Sequence, residues 1–197
     1  MTRRLPPDAE APEEVVWRGR FVEAKRRGRW EYAGRPSNIR AAVILALDGD
    51  HVLLVEQYRV PSGRYCLELP AGLIGDEAGL EGEDALASAK RELEEETGYR
   101  AEHWQVLGEF LSSPGMLSEG FTLVRATGLT RIGDGGGTDS EDIVVHRVPL
   151  ANIQQTVAEH QAKGHALDVK LLLLLGAGYI AGTVSYTHLT LPTICSV

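Results

Sequence analysis

The sequence predicts an α/β fold: an α/β/α sandwich with a mixed β-sheet, preceded by an N-terminal β-hairpin. Three observations carry this expectation. Short apolar runs alternate with longer runs of helical period, the order that builds sheets covered by helices. Two of the short runs, 41–47 and 51–58, flank Asp48-Gly49-Asp50, a strong tight-turn signal. A chain of 197 residues that is 43% hydrophobic can bury a real core within one domain.

Residues 15–32 read as the hairpin, two runs around the basic turn Arg26-Arg27-Gly28. The apolar strands 41–47 and 51–58 follow. Residues 65–69 form a short strand, broken by Pro70-Ala71-Gly72. A helix spans 84–97 and stops at Gly98, where glycine favours the left-handed conformation that ends helices. Strands are expected at 104–110, 121–126 and 143–149, then helices at 150–161 and 167–179 separated near Gly164.

The helix 84–97 is the most informative element. Glu92, Glu94, Glu95 and Glu96 crowd its last turns, and like charges three and four residues apart repel. With Leu93 at zero on a helical wheel, Leu86 and Ala89 fall at about +20° and −40° and complete a buried stripe. Glu96, Glu92 and Glu95 follow at about −60°, −100° and −160°, on one flank of that stripe, while Glu94 lies on the other at about +100° and is expected to be a solvated bystander. Converging hard oxygen donors beside an apolar wall suit Mg2+, or Mn2+. The alternative is a solvated acidic helix face.

The net charge of −8 argues against nonspecific binding to nucleic acid or to an acidic membrane surface. The run 171–175 is too short to span a bilayer, and it reads as a buried helix. With two cysteines, Cys66 and Cys195, there is no disulfide framework, and no apolar signal stretch opens the chain, so a cytoplasmic location is expected.

The spacing around the helix resembles the Nudix box. Gly72 and Glu83 are followed after seven residues by Arg91-Glu92-Leu93-Glu94-Glu95-Glu96-Thr97-Gly98-Tyr99, and every specified position from Glu83 to Tyr99 matches. Ten residues separate Gly72 from Glu83 where the family has five, so 75–82 reads as an inserted surface turn. The resemblance implies the Nudix-type sandwich fold. It implies that Glu92, Glu95 and Glu96 ligate metal with the backbone carbonyl of Ala71. Arg91 would orient Glu95, and Glu83 would play a similar supporting part. Such a metal offsets phosphoryl charge and lowers the pKa of a bound water.

The neighbours of the box are similar to the ADP-ribose pyrophosphatase branch of the family. Glu56-Gln57-Tyr58-Arg59 implies a diphosphate contact at Arg59, and Leu73 is implied to lie near substrate. Ser112-Ser113-Pro114-Gly115 implies a terminal-ribose contact at Ser113. Trp30, Glu31 and Arg35 align with the segment that holds the adenine, with Phe21 as a second ring; ordinary hairpin packing is the alternative for Phe21 and Trp30. In the loop 133–142, rich enough in glycine to move, Glu141 is implied as catalytic base and further metal ligand, with Asp139 as second candidate. The implied reaction is Mg2+-dependent hydrolysis of ADP-ribose or a related nucleoside diphosphate sugar to a nucleoside monophosphate and a sugar phosphate, by a homodimer. GDP-mannose or another nucleoside diphosphate sugar is the alternative substrate, and a silent nucleotide-binding regulator the alternative role.

The expected organisation is an arm and hairpin at 1–36 serving dimer and substrate contacts, a Nudix hydrolase domain at 37–183, and a non-native tail at 184–197. The codons that can be written for the tail resemble a sequencing adapter read in frame, so the native chain is expected to end near Thr183. Recovery of those codons from the source locus by an adapter-free route would refute this.

Overall fold

The computed structural model describes residues 4–36, 39–75, 83–138 and 141–181. Asp139, most of the 75–82 insertion and the 184–197 tail lie outside them.

The N-terminal region is a three-stranded antiparallel sheet rather than a hairpin: β1 (Glu13–Arg18), β2 (Glu23–Arg27) and β3 (Trp30–Gly34). The extra strand begins in the acidic pair Glu13-Glu14, which lies opposite Arg27 and Arg26 and forms ion pairs of 3.1 and 2.7 Å with them. The basic edge read from the sequence is thereby neutralised. This sheet joins the main body where Ala33 N donates to Met116 O (2.8 Å) and Ser118 N to Ala33 O (2.9 Å).

The main body is one mixed sheet. Strands β4 (Ala41–Asp48) and β5 (His51–Arg59) form the expected hairpin around Gly49, whose φ is 61°. They pair only at its tip, Leu47 with Val52 and Asp48 with His51. Beyond it they splay. Strand β6 (Arg64–Glu68) pairs with the far half of β5, and β7 (Ala71–Leu73) crosses to pair with β4. Helix α1 (Ala85–Thr97) follows, capped by Asp84, whose side chain accepts from Leu86 N and Ala87 N at 2.8 Å each. A long hairpin of β8 (Tyr99–Leu111) and β9 (Gly120–Arg131) sets β9 parallel to β4. Both strands outrun expectation because β8 is an edge whose polar, exposed residues mask its strand period.

Strand β10 (Val144–Pro149) lines the free edge of β5. Helix α2 (Ile153–Ala162), a two-residue strand β11 (Ala166–Leu167) parallel to β6, and α3 (Leu172–Ala181) complete the order. Strands β7 and β11 are too short to carry a period and were not expected from sequence.

Alternation along β4 assigns the two faces. Ala42, Ile44 and Ala46 pack with Ala89 and Leu93 of α1; Val43 packs with Ile153 and Val157 of α2 and with Leu171 and Leu175. Helices therefore cover both faces, as the sequence predicts. No helix among the described residues is long and apolar enough to cross a membrane.

Candidate active site

The splay between β4 and β5 opens a cavity of about 810 Å3, walled by β7, the last turns of α1, the start of β9 and the segment after β11. The sequence makes this wall locally. Pro70 ends β6, and its carbonyl accepts from Ile44 N at 2.8 Å, which turns Ala71-Gly72-Leu73 across the end of α1. Gly72 leaves room for Glu92: a Cβ would lie 1.9 Å from that carboxylate and displace it.

Glu92, Glu95, Glu96 and Glu141 share this wall. Glu96 is buried, and Ala71 N donates to its Oε2 at 3.0 Å. Burial pushes its pKa up to about 8, against the Ala71 hydrogen bond and helped by the charges of Glu92 and Glu141. Glu92 and Glu95 receive the Arg91 guanidinium at 3.0 and 3.1 Å, and Glu83 receives it at 3.5 Å. Burial opposes the charge of Arg91, but these carboxylates outweigh it and hold its pKa above the usual value. Glu94 is on the opposite flank, as the wheel predicts. It is not a solvated bystander, because Arg100 grips it with two bonds of 2.8 and 2.9 Å.

The loop 133–138 is hydrogen-bonded to the end of α1, which corrects the reading of a segment free to swing. Gly136 N donates to Glu96 O (2.8 Å) and Gly137 N to Glu95 O (3.0 Å). Its glycines serve close approach, since a Cβ at Gly135 would sit 2.4 Å from the Thr97 carbonyl carbon. The same docking presents Glu141 to the cavity, its Oε2 accepting from Thr138 N and Oγ1 at 3.0 and 3.2 Å.

The facing wall carries three cations, each held by a carboxylate of the same wall. Arg59 makes a forked pair with buried Glu68 at 2.6 and 2.8 Å, which raises its pKa against burial. Arg35 pairs with Glu119 at 2.8 Å, and Lys170 pairs with Asp168 at 2.6 Å beneath the Phe121 ring. Cys66 also lines the wall, but burial pushes its thiol up to about 12, so it is no nucleophile at neutral pH.

A model of the NUDIX domain matches residues 37–165, well over half of the chain. The chain belongs to the Nudix family. It is 36% identical over 119 residues to an ADP-ribose pyrophosphatase of Mycobacterium tuberculosis, covering 59% of this chain and 56% of that one. It is 39% identical over 103 residues to a methanol dehydrogenase activator of Bacillus methanolicus, covering 52% of this chain and 53% of that one. The matches thus span about half the length of these two curated relatives. A crystal structure of an ADP compounds hydrolase superposes with a TM-score of 0.65 at 26% identity, covering 92% of this chain and 98% of that one.

Within this Nudix chain, Ala71, Leu73, Glu92, Glu95, Glu96, Arg91, Glu141, Arg59 and Arg35 all line the one cavity. Trp30 does not. It borders a separate hollow of about 390 Å3 together with Pro114 and Gly115, and is 55% exposed. Phe21 is 62% exposed with Arg20 over its ring, and Glu31 sits across from Arg26 on the small sheet. Ser112 reaches the cavity; the Ser113 carbonyl instead accepts from Met116 N and Leu117 N in the turn. Sequence reasoning gave no role to Glu68, Lys170 or Asp168. Glu68 carried a usable signal, a lone acid in an apolar run, which predicts a buried carboxylate needing a cation.

The donor set fits Mg2+ or Mn2+, because it supplies only hard oxygens and includes a buried carboxyl held from ionising by its surroundings. A carboxyl with a raised pKa favours the folded state less as pH climbs, because the unfolded chain ionises first. In chelator, Glu96→Gln should match the parent in stability below about pH 4.5 and exceed it by a few kcal/mol above about pH 8. Urea titrations across that range check this, and a variant less stable at pH 9 would contradict it.

Proposed function

We propose that this chain hydrolyses the diphosphate bond of ADP-ribose or a closely related nucleoside diphosphate sugar, giving a nucleoside monophosphate and a sugar phosphate, with Mg2+ as cofactor. The observation that carries this reading is the make-up of one cavity: the hard-oxygen set Glu92, Glu95, Glu96 and Glu141 on one wall, and on the other Arg59, Arg35 and Lys170, each positioned by a carboxylate partner. A diphosphate bridging the two walls meets cations at both. Similarity to the ADP-ribose pyrophosphatase of Mycobacterium tuberculosis and to the ADP compounds hydrolase supports the substrate class.

In the proposed step, a water oxygen bonds to one phosphorus and the bridging P–O bond breaks. One phosphate leaves on each product, and the water proton passes to a carboxylate. Glu141 would take that proton, a role supported by its place on the cavity wall and by the two hydrogen bonds from Thr138 that orient it. The Arg59 fork holds non-bridging oxygens, itself held by Glu68. Arg91 keeps Glu92 and Glu95 aimed. Bound Mg2+ would supply charge neutralisation of the phosphoryl oxygens and acidify water. Asp139 stands as the second base candidate.

A panel of nucleoside diphosphate sugars, with Mg2+ or chelator, should yield monophosphate from ADP-ribose only with metal. Glu141→Gln should lower kcat about 100-fold or more with little change in KM. Turnover of GDP-mannose alone would move the substrate assignment, and no metal-dependent turnover of any sugar would overturn the reading.

We also propose a homodimer formed through the N-terminal sheet, where Val15, Val16, Trp17, Phe21 and Trp30 are each exposed in the single chain. Phe21 and Trp30 would complete the adenine pocket across that contact. Light scattering should give twice the chain mass, and a fully active monomer would contradict it.

A further inference from the structure

A second cluster of ligand-type side chains lies away from the cavity. On β5, Gln57 lines the cavity, so its neighbour Glu56 points to the other face, the side of Leu54 and α2. There its Oε2 meets His146 Nε2 of β10 at 3.1 Å, His160 Nδ1 of α2 at 3.3 Å and His165 Nδ1 at 3.7 Å. His160 Nδ1 and His165 Nδ1 are 3.3 Å apart. We propose that Glu56, His146, His160 and His165 form a binding site for Zn2+ or a similar late first-row divalent ion, separate from the Mg2+ carboxylates.

Geometry is the first argument. Four ligands placed about 2.0–2.1 Å from a tetrahedral ion stand about 3.3–3.4 Å from one another. Of the six edges between four donors, the three from Glu56 are 3.1, 3.3 and 3.7 Å and that between His160 and His165 is 3.3 Å, and the ligand atoms of Glu56, His146 and His160 all lie within 4.8 Å of one another, so His165 closes the site from the side of Glu56 and His160.

Chemistry is the second. Three imidazoles and one carboxylate suit zinc, whereas Mg2+ prefers oxygen donors. The third argument is that hydrogen bonding alone serves this cluster poorly. The facing nitrogens of His160 and His165 cannot both donate along their contact, yet both also approach the same carboxylate oxygen. Among the described residues, the ion-pair partners of Glu56 are all histidines, so with neutral imidazoles its charge has no counter-ion.

The site would staple β5, β10 and α2 to the turn before β11. That turn leads directly into Asp168 and Lys170 of the cavity wall. A metal there is therefore a structural clamp on the rim.

The test uses untagged, chelator-stripped full-length protein. Co2+ added to it should give the intense visible bands of a tetrahedral ion, and one equivalent of Zn2+ should abolish them. Zn2+ at a hundredfold excess over its Kd should raise Tm by about 5–10 °C. Glu56→Gln and His165→Gln, both of similar volume, should weaken binding at least about 100-fold, while Glu92→Gln keeps the bands. Absence of tetrahedral bands in the parent protein overturns the proposal whatever the variants do, and so does their persistence in both Glu56→Gln and His165→Gln.

Discussion

The cavity depends on a repulsion that must be held in check: four acidic side chains brought to one wall beside an apolar core. Burying a carboxylate is costly unless its charge is met, and like charges three and four residues apart destabilise a helix. The structure meets this with a few specific contacts. Arg91 spans Glu83, Glu92 and Glu95, Ala71 N donates to Glu96, and the missing side chain of Gly72 leaves room for Glu92. Asp84 at the helix start and the docked loop at its end hold α1 in place while the cluster strains it.

The same constraint explains the opposing wall. Arg59 is fixed by Glu68 before any substrate arrives, so its fork is pre-ordered rather than recruited. The splay of β4 from β5 creates the space between the walls, and Pro70 creates β7, which closes its floor. Fold and site are therefore one arrangement, and the polar β5 residues alternate between two tasks: Gln57 and Arg59 face the cavity, and Glu56 faces the histidines.

Much of this was legible in the sequence, for physical reasons that differ by element. The flank of α1 could be read because helical geometry fixes the angle between side chains; Ala89 and Leu93 are buried as the wheel requires, with Leu86 half-buried against them. The turn at Gly49 and the stop at Gly98 could be read because each needs a positive φ, found at 61° and 71°. Contacts distant in sequence were not legible. Nothing local pairs Arg100 with Glu94, seats the loop 133–138 on α1, or brings His146 and His165 to Glu56. The small sheet was half legible, since its basic strand was evident but its acidic partner read as arm. Two-residue and three-residue strands carry no period at all.

The central claim is that Glu96 is an ionisable carboxyl held at a cost until a cation offsets it. Its titration, followed by carbonyl 13C shifts in selectively labelled protein with Glu96→Gln used for assignment, measures this directly. The account predicts a pKa near the 8 that burial imposes, falling to or below the ordinary carboxylate range when Mg2+ is added. An ordinary carboxylate pKa that does not respond to Mg2+ would contradict it.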